Sequence, residues 1–340
     1  ALELVRIAAS AGADAVKFQT FKAELIASKH AERADYQNRN IGDDGSQLSM
    51  LKSLELSDDD HHVLASASKK LNIEFMSTPF DERSVDFLGR DIGVQRIKIG
   101  SGELTNAPLL MKIASAGLPA ILSTGMASIA EIELALGVLA FGYLAQNNVM
   151  PSISNFYSAF LDSQGKALLK KYVTLLHCTS DYPAEPNTIN LRAMDHLEAA
   201  FALPVGLSDH SQGISVAVAA VARGAKVIEK HFTLNCESKG PDHRASLEPK
   251  QLHEMCNAIR TVELSLGSGV KEPNAIEYKT AMVARKSLVA LCNVARGELF
   301  SDKNLGVKRP GSGISPAEYW SYLGQPSERD YSSDELIQPQ

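Results

Sequence analysis

Residues 96–126, RIKIGSGELTNAPLLMKIASAGLPAILSTGM, hold two segments of one kind. Arg96 to Glu103 and Pro119 to Met126 each start apolar and end in small hydroxyl and glycine residues, the pattern of a buried strand whose carboxyl end carries chemistry. The same texture recurs at Ala15 to Thr20 (AVKFQT), Ile73 to Pro79 (IEFMSTP), Val173 to Ser180 (VTLLHCTS), Pro204 to Ser211 (PVGLSDHS) and Val227 to Thr233 (VIEKHFT). Helical periodicity fills the intervals, as at Val63, Leu64, Ala67 and Leu71, or Ile129, Ile132, Leu136 and Leu139. Strands regularly separated by helices imply βαβ units and a parallel sheet.

Seven such strands precede Gln251, whereas a closed (β/α)8 barrel needs eight. The helix that starts at Leu2 and stops at Gly12 has no strand before it, and the chain opens on Ala1 with neither an initiator Met nor a signal peptide. The expected fold is a TIM (β/α)8 barrel lacking its first strand, with an open seven-stranded sheet as the alternative. The stretch from Val138 to Lys171, with Asn147, Asn148, Pro151 and Ser152, reads as an insertion or loop. Leu252, Met255, Ile259, Val262 and Leu266 form the apolar stripe of a last covering helix. The expected domains are 1–266 as the barrel, 267–281 as a polar linker and 282–340 as a small second domain with a strand at Ser287 to Leu291, a turn at Arg296-Gly297-Glu298 and a basic glycine-rich loop from Lys308 to Gly313.

The composition narrows the functional classes. With 34 Lys+Arg against 40 Asp+Glu in 340 residues, the net charge of −6 argues against a nucleic-acid partner. The longest apolar run, Gly213 to Ala222, is about half of what a bilayer-spanning helix needs, so no membrane partner is expected. Cys178, Cys236, Cys256 and Cys292 lie far apart without a CxxC pair, which reads as reduced thiols in a cytoplasmic protein.

Chemistry concentrates at the strand ends. Lys17 and Lys98 each interrupt an apolar strand, a costly placement unless an anion meets them. A shared phosphate or carboxylate answers this, and so does a buried ion pair with Glu103 or Glu229. Ser101, Ser123, Thr124 and Ser208 add hydroxyls and glycine-flanked amides of the kind that build phosphate sites. His210 and His231 end consecutive strands, so a barrel brings both imidazoles to one rim, where they suit a divalent metal acting as Lewis acid. His61 and His62 follow the Asp58–Asp60 run and read as a solvated helix face. The loop Gly240-Pro241-Asp242-His243-Arg244 reads as a turn or as a substrate lid.

Taken in order, VKFQTF (16–21), FMSTPFD (75–81), KIGSGE (98–103), LSTGM (122–126), LLHCTSDYP (175–183), GLSDHS (206–211), EKHFT (229–233) and GPDHRASLEP (240–249) resemble the sialic acid synthase family. KSLVA, GE and KRPGSGISP (308–316) are similar to the antifreeze-like (SAF, β-clip) domain that follows the barrel in that family. The resemblance implies a transferase that condenses phosphoenolpyruvate with an open-chain N-acetylated hexosamine. It matches Lys17, Thr78, Lys98, Ser101, Ser123 and Ser208 to phosphoenolpyruvate contacts, with Ser180 in the substrate-binding set. Gln19, Glu103, Tyr182 and Asp242 fall on the acceptor side, and Glu103, Lys98 and Lys17 are the catalytic candidates. His210 and His231 correspond to ligands of Mn2+ or Mg2+, and Arg309 to an arginine that crosses from the partner in a domain-swapped homodimer. The chain departs from the family at its start, where a glutamate-bearing first strand and an NHNG-like stretch have no counterpart. If nothing precedes Ala1, inactivity is expected; if residues do, activity is. The motifs are common to N-acetylneuraminate and N,N′-diacetyllegionaminate synthases and do not separate their acceptors, and N-acetylmannosamine is favoured slightly over 2,4-diacetamido-2,4,6-trideoxymannose. A Schiff-base aldolase using Lys98 or Lys17, and a non-catalytic carbohydrate-binding protein, are the other classes considered.

Overall fold

A computed structural model describes residues 1–28, 30–33, 37–38, 46–145 and 149–339. The chain divides into two compact units, Ala1–Gly267 and Ser268–Gln340. The helix Leu2–Ala11 ends where Gly12 takes a left-handed conformation (φ 86°) and returns its amide to the Ala8 and Ala9 carbonyls. Seven strands follow: β1 (Ala15–Thr20), β2 (Glu74–Pro79), β3 (Ile97–Ile99), β4 (Ala120–Ser123), β5 (Val173–Cys178), β6 (Val205–Asp209) and β7 (Ile228–Lys230). β1 and β2 form one sheet, β3 to β7 another in sequential order, and every pairing among them is parallel.

Strand alternation explains the core. Ile97, Ile99, Ala120, Leu122, Val173, Leu175, Val205 and Leu207 face outward and pack with Leu109, Leu110 and Ile113 of the helix Ala107–Ser115 and with Leu136 and Leu139 of the helix Ile129–Tyr143. The opposite faces of both sheets meet in a small inner cluster of Met76, Ile121 and Leu176, flanked by Ala15 and Val227. The strands therefore curve around one interior as a parallel half-barrel, and an open flat sheet does not describe them. Among the described residues the strands at the ends of the two sheets, β1 and β2 in one and β3 and β7 in the other, are each paired with one neighbour.

Three expectations change. Pro151 and Ser152 lead into two helices, Ile153–Leu161 and Ser163–Tyr172, with N-caps supplied by Ser152 and Asp162. Phe156 packs edge-on against Phe141 at 5.5 Å, so the segment is part of the packed layer rather than a loop. Asn147 and Asn148 lie outside the described residues. The stretch read as a linker contains most of the helix Ala275–Ala284, opened by an Asn274–Glu277 capping box and burying no side chain. The polar composition seen in the sequence is that of an exposed helix.

His61 is the third. It is 1% exposed, with Nδ1 2.8 Å from the Ser57 carbonyl and Nε2 2.8 Å from Thr20 Oγ1, which in turn meets Ser77 Oγ at 2.7 Å. His62 is exposed as expected. His61→Ala leaves a cavity and removes one of the two partners of the Thr20 hydroxyl, a loss of about 2–3 kcal/mol. A lowered urea midpoint at unchanged slope checks this, and a midpoint equal to that of the unaltered protein sinks it.

The second unit pairs β8 (Ser287–Ala290) with β9 (Leu305–Lys308) antiparallel over a core of Leu288, Ala290, Val294, Phe300, Leu305, Tyr331 and Ile337. Gly297 (φ 87°) sits in the turn expected there.

Candidate active site

Counting along each strand from Lys98, which faces the interior, places Lys17 and Gln19, Thr78, Ser123, Cys178, Ser208, Glu229 and, just past the ladder ends, His210 and His231 on the inner face. Glu229 is the hub. Its carboxylate lies 3.5 Å from Lys98 Nζ and 3.9 Å from Lys17 Nζ, and accepts a 2.7 Å bond from Ser208 Oγ. Burial works against its charge, but the two ammonium groups and Ser208 outweigh it and hold the carboxyl at about 2. Burial pushes Lys98 below the ordinary lysine range, against the pull of Glu229. Lys98 also donates to the Ile99 carbonyl at 3.0 Å. The ion-pair reading of the lysines is thus realised with Glu229 and leaves an excess positive charge for an anion.

Glu103 takes no part in that pairing. Residues Ser101–Glu103 form a 3-10 turn, not the end of a strand, and Glu103 accepts from Asn106 Nδ2 at 2.7 Å. The turn presents Ser101 Oγ to the Gly125 amide at 3.0 Å. Gly125 is needed for this close approach: a Cβ there would overlap Ser180 Oγ and lie 2.8 Å from Ser101 Oγ and 3.1 Å from Cys178 Sγ. Among the described residues, two further hydroxyls, Thr78 Oγ1 and Ser123 Oγ, have no hydrogen-bond partner, and each residue is only 2% exposed. Orphaned buried hydroxyls are costly, and a ligand that accepts or donates removes the cost. Thr124 differs, since its hydroxyl is spent on the Leu176 carbonyl at 2.9 Å.

The two imidazoles stand with ring centroids 5.3 Å apart, and Tyr182 packs on His210 at 4.1 Å. His210 Nδ1 lies 2.7 Å from the Thr179 carbonyl, which assigns the proton to Nδ1 and turns Nε2 to the interior, 3.4 Å from Ser208 Oγ. Burial opposes charge on His210, but the Cys178 thiol and the Thr179 carbonyl prevail and raise its pKa. His231 is neutral at pH 7: burial lowers it, Asp242 opposes, and His210 and Lys17 add to the lowering, to about 4. Asp242 Oδ2 approaches His231 Nδ1 at 3.6 Å. Two imidazoles this close, with the Nε2 of His210 turned to the interior, fit a divalent ion. Among the described residues no three His, Cys, Asp or Glu side chains gather closely enough to cage a metal alone, so two imidazoles would leave positions open to substrate.

Sequence reasoning did not single out Cys178. Burial pushes its thiol up, while His210, Ser101 and Lys98 outweigh burial and lower it. Its position on the inner face two residues beyond Leu176 was the available signal. Gln19 is exposed at the rim, and Arg309 belongs to the second unit, where it is exposed and its Nε donates to the Ala284 carbonyl at 3.0 Å. Among the described residues no helix is long and apolar enough to cross a membrane.

Residues 4–271 match the model of the NeuB family. The chain is 46% identical over 337 residues to the N,N′-diacetyllegionaminic acid synthase of Campylobacter jejuni, covering 99% of this chain and 93% of that protein. It is 44% identical to the synthase of the same name from Legionella pneumophila, over 95% and 85% of the two chains. Among solved structures, the N-acetylneuraminic acid (sialic acid) synthetase of Leptospira borgpetersenii in complex with citrate is similar at a TM-score of 0.65 and 32% identity, over 82% of this chain and 83% of that one.

Proposed function

Because the chain belongs to the NeuB family, we propose that it is an N,N′-diacetyllegionaminate synthase, a transferase condensing phosphoenolpyruvate with 2,4-diacetamido-2,4,6-trideoxymannose to give the nine-carbon acid and inorganic phosphate. Two relatives at 46% and 44% identity bear the legionaminic name, whereas the structure with the N-acetylneuraminic name shares 32%. That gradient reverses the slight preference for N-acetylmannosamine.

The observation that carries the reading is the lysine pair around Glu229 together with the orphaned hydroxyls of Thr78 and Ser123 on one interior face. Phosphoenolpyruvate brings a phosphate and a carboxylate, and Lys17, Lys98, Ser101 with the Gly125 amide, Thr78, Ser123 and Ser208 are the groups proposed to receive them. Gln19, Ser180, Tyr182, Asp242 and Glu103 are proposed to line the acceptor side. His210 and His231 would hold a divalent ion, Mn2+ or Mg2+, which supplies Lewis-acid polarisation of the acceptor's carbonyl oxygen. The lysines hold phosphoenolpyruvate so that its C3 attacks the aldehyde carbon, and they neutralise the phosphate that leaves when water has added at C2. The 268–340 unit is proposed to be the antifreeze-like domain, and its exposed Arg309 to serve the site of a second copy in a homodimer.

The full-length protein, supplied with phosphoenolpyruvate and Mn2+, is expected to release phosphate with 2,4-diacetamido-2,4,6-trideoxymannose at a kcat/KM at least about tenfold above that with N-acetylmannosamine, the scale of discrimination that a few substituents support. Mass spectrometry of the product checks the assignment. Equal or reversed preference overturns the acceptor, and no phosphate release with either sugar overturns the function.

A further inference from the structure

Asp209 and Lys230 lie outside the site, because strand alternation turns them away from the interior faced by Ser208, His210, Glu229 and His231. They meet behind the strands, Nζ to Oδ2 at 2.8 Å, with each side chain 1% exposed. Both partners are further hydrogen-bonded through Ser211. Asp209 Oδ1 accepts from the Ser211 amide at 2.9 Å and its hydroxyl at 2.6 Å, and Lys230 also donates to the Ser211 carbonyl.

Stability alone does not account for such a pair, since apolar residues of similar volume are generally as stabilising in its place or more so. Its position does. Asp209 and Lys230 are the last register partners of the β6–β7 ladder, and the next residue on each strand is one of the two imidazoles. Among the described residues no ladder bond joins the two strands beyond that rung, so the contacts of Lys230 with Asp209 and Ser211 tie the strands beside His210 and His231, whose rings stand 5.3 Å apart.

We infer that the buried Asp209–Lys230 pair, braced by Ser211, is a positioning device that sets the separation of His210 and His231 and through it their affinity for a divalent metal. This rests on the metal-holding role proposed for the two histidines. Neither Asp209 nor Lys230 is placed in contact with substrate.

Mn2+ binding to the purified, otherwise unaltered chain is followed by electron paramagnetic resonance for Asp209→Leu/Lys230→Met, Asp209→Asn and His210→Ala. The double variant is expected to fold with a melting temperature near that of the unaltered protein and to bind Mn2+ at least about tenfold more weakly, the effect of losing outer support at metal sites. Asp209→Asn, which keeps an acceptor for Ser211, is expected to fall between them, and it alone decides the matter if the double variant does not fold. In the metal-free double variant the imidazole nitrogen resonances of His210 and His231 are expected to move, a change that a purely structural role does not require. Mn2+ affinity within twofold of the unaltered protein in the folded variants, with binding lost in His210→Ala, overturns this inference alone. Undiminished binding in His210→Ala overturns the metal role and the inference with it.

Discussion

Alanine at His210 is expected to leave the chain folded and to lower phosphate release by about 10³-fold at saturating Mn2+, because polarisation of the acceptor carbonyl is worth several kcal/mol and each 1.4 kcal/mol is tenfold in rate. The ring is held by the Thr179 carbonyl at Nδ1 and by Tyr182 at its face, so removal empties a fixed position rather than a mobile one. His231→Ala is expected to match it, and the double variant to cost little more than either, since two ligands of one ion fail together. Dialysis against a chelator is expected to abolish activity in the unaltered enzyme and readdition of Mn2+ to restore it. A His210→Ala enzyme with more than a tenth of full activity rejects the role.

Much of this site is legible in the sequence because charge inside an apolar strand is conspicuous and strand alternation is strict. Lys98 between Ile97 and Ile99 has to point inward, and the structure places it there at 3% exposure. What the sequence does not contain is the path of the chain after each strand. Strand alternation from Lys98 would already turn Glu103, five residues on, to the opposite face, and the 3-10 turn at Ser101–Glu103 sends it to Asn106, so the pairing falls to Glu229. The signal for Glu229 was present, since it precedes His231 by two and so shares its face. His61 was readable too: with Leu64 and Ser68 it follows the helical spacing of three and four, and these are the three buried residues of the helix Asp58–Lys70. The acidic run beside it describes only the other face. The acceptor is a different case, because motifs common to two synthases carry no information on the substituents that separate their sugars, and only similarity over the whole chain does.

The charge balance around Glu229 makes the second large prediction, in which two substitutions on one ion pair act in opposite directions. Lys98→Met removes an ammonium from the anion site and leaves Glu229 with Lys17 at 3.9 Å, so the carboxylate's repulsion of an incoming phosphate gains weight. The expected result is a loss of phosphoenolpyruvate binding of about 10²- to 10³-fold, read as a raised KM, in line with truncating one member of a desolvated charge pair. Glu229→Gln keeps the volume and an acceptor for Ser208 but removes the negative charge between Lys17 and Lys98. Without ligand the buried Lys98 ammonium and the half-buried Lys17 ammonium then repel each other, and stability is expected to fall by about 3 kcal/mol, the low end of breaking a buried pair. An anion that binds only the folded state returns stability in proportion to its affinity. Inorganic phosphate is therefore expected to raise the melting temperature of Glu229→Gln by several degrees more than that of the unaltered protein, while Lys98→Met gains almost nothing. Equal shifts in all three proteins would mean that the lysines do not face the phosphate, and the anion site would have to lie elsewhere.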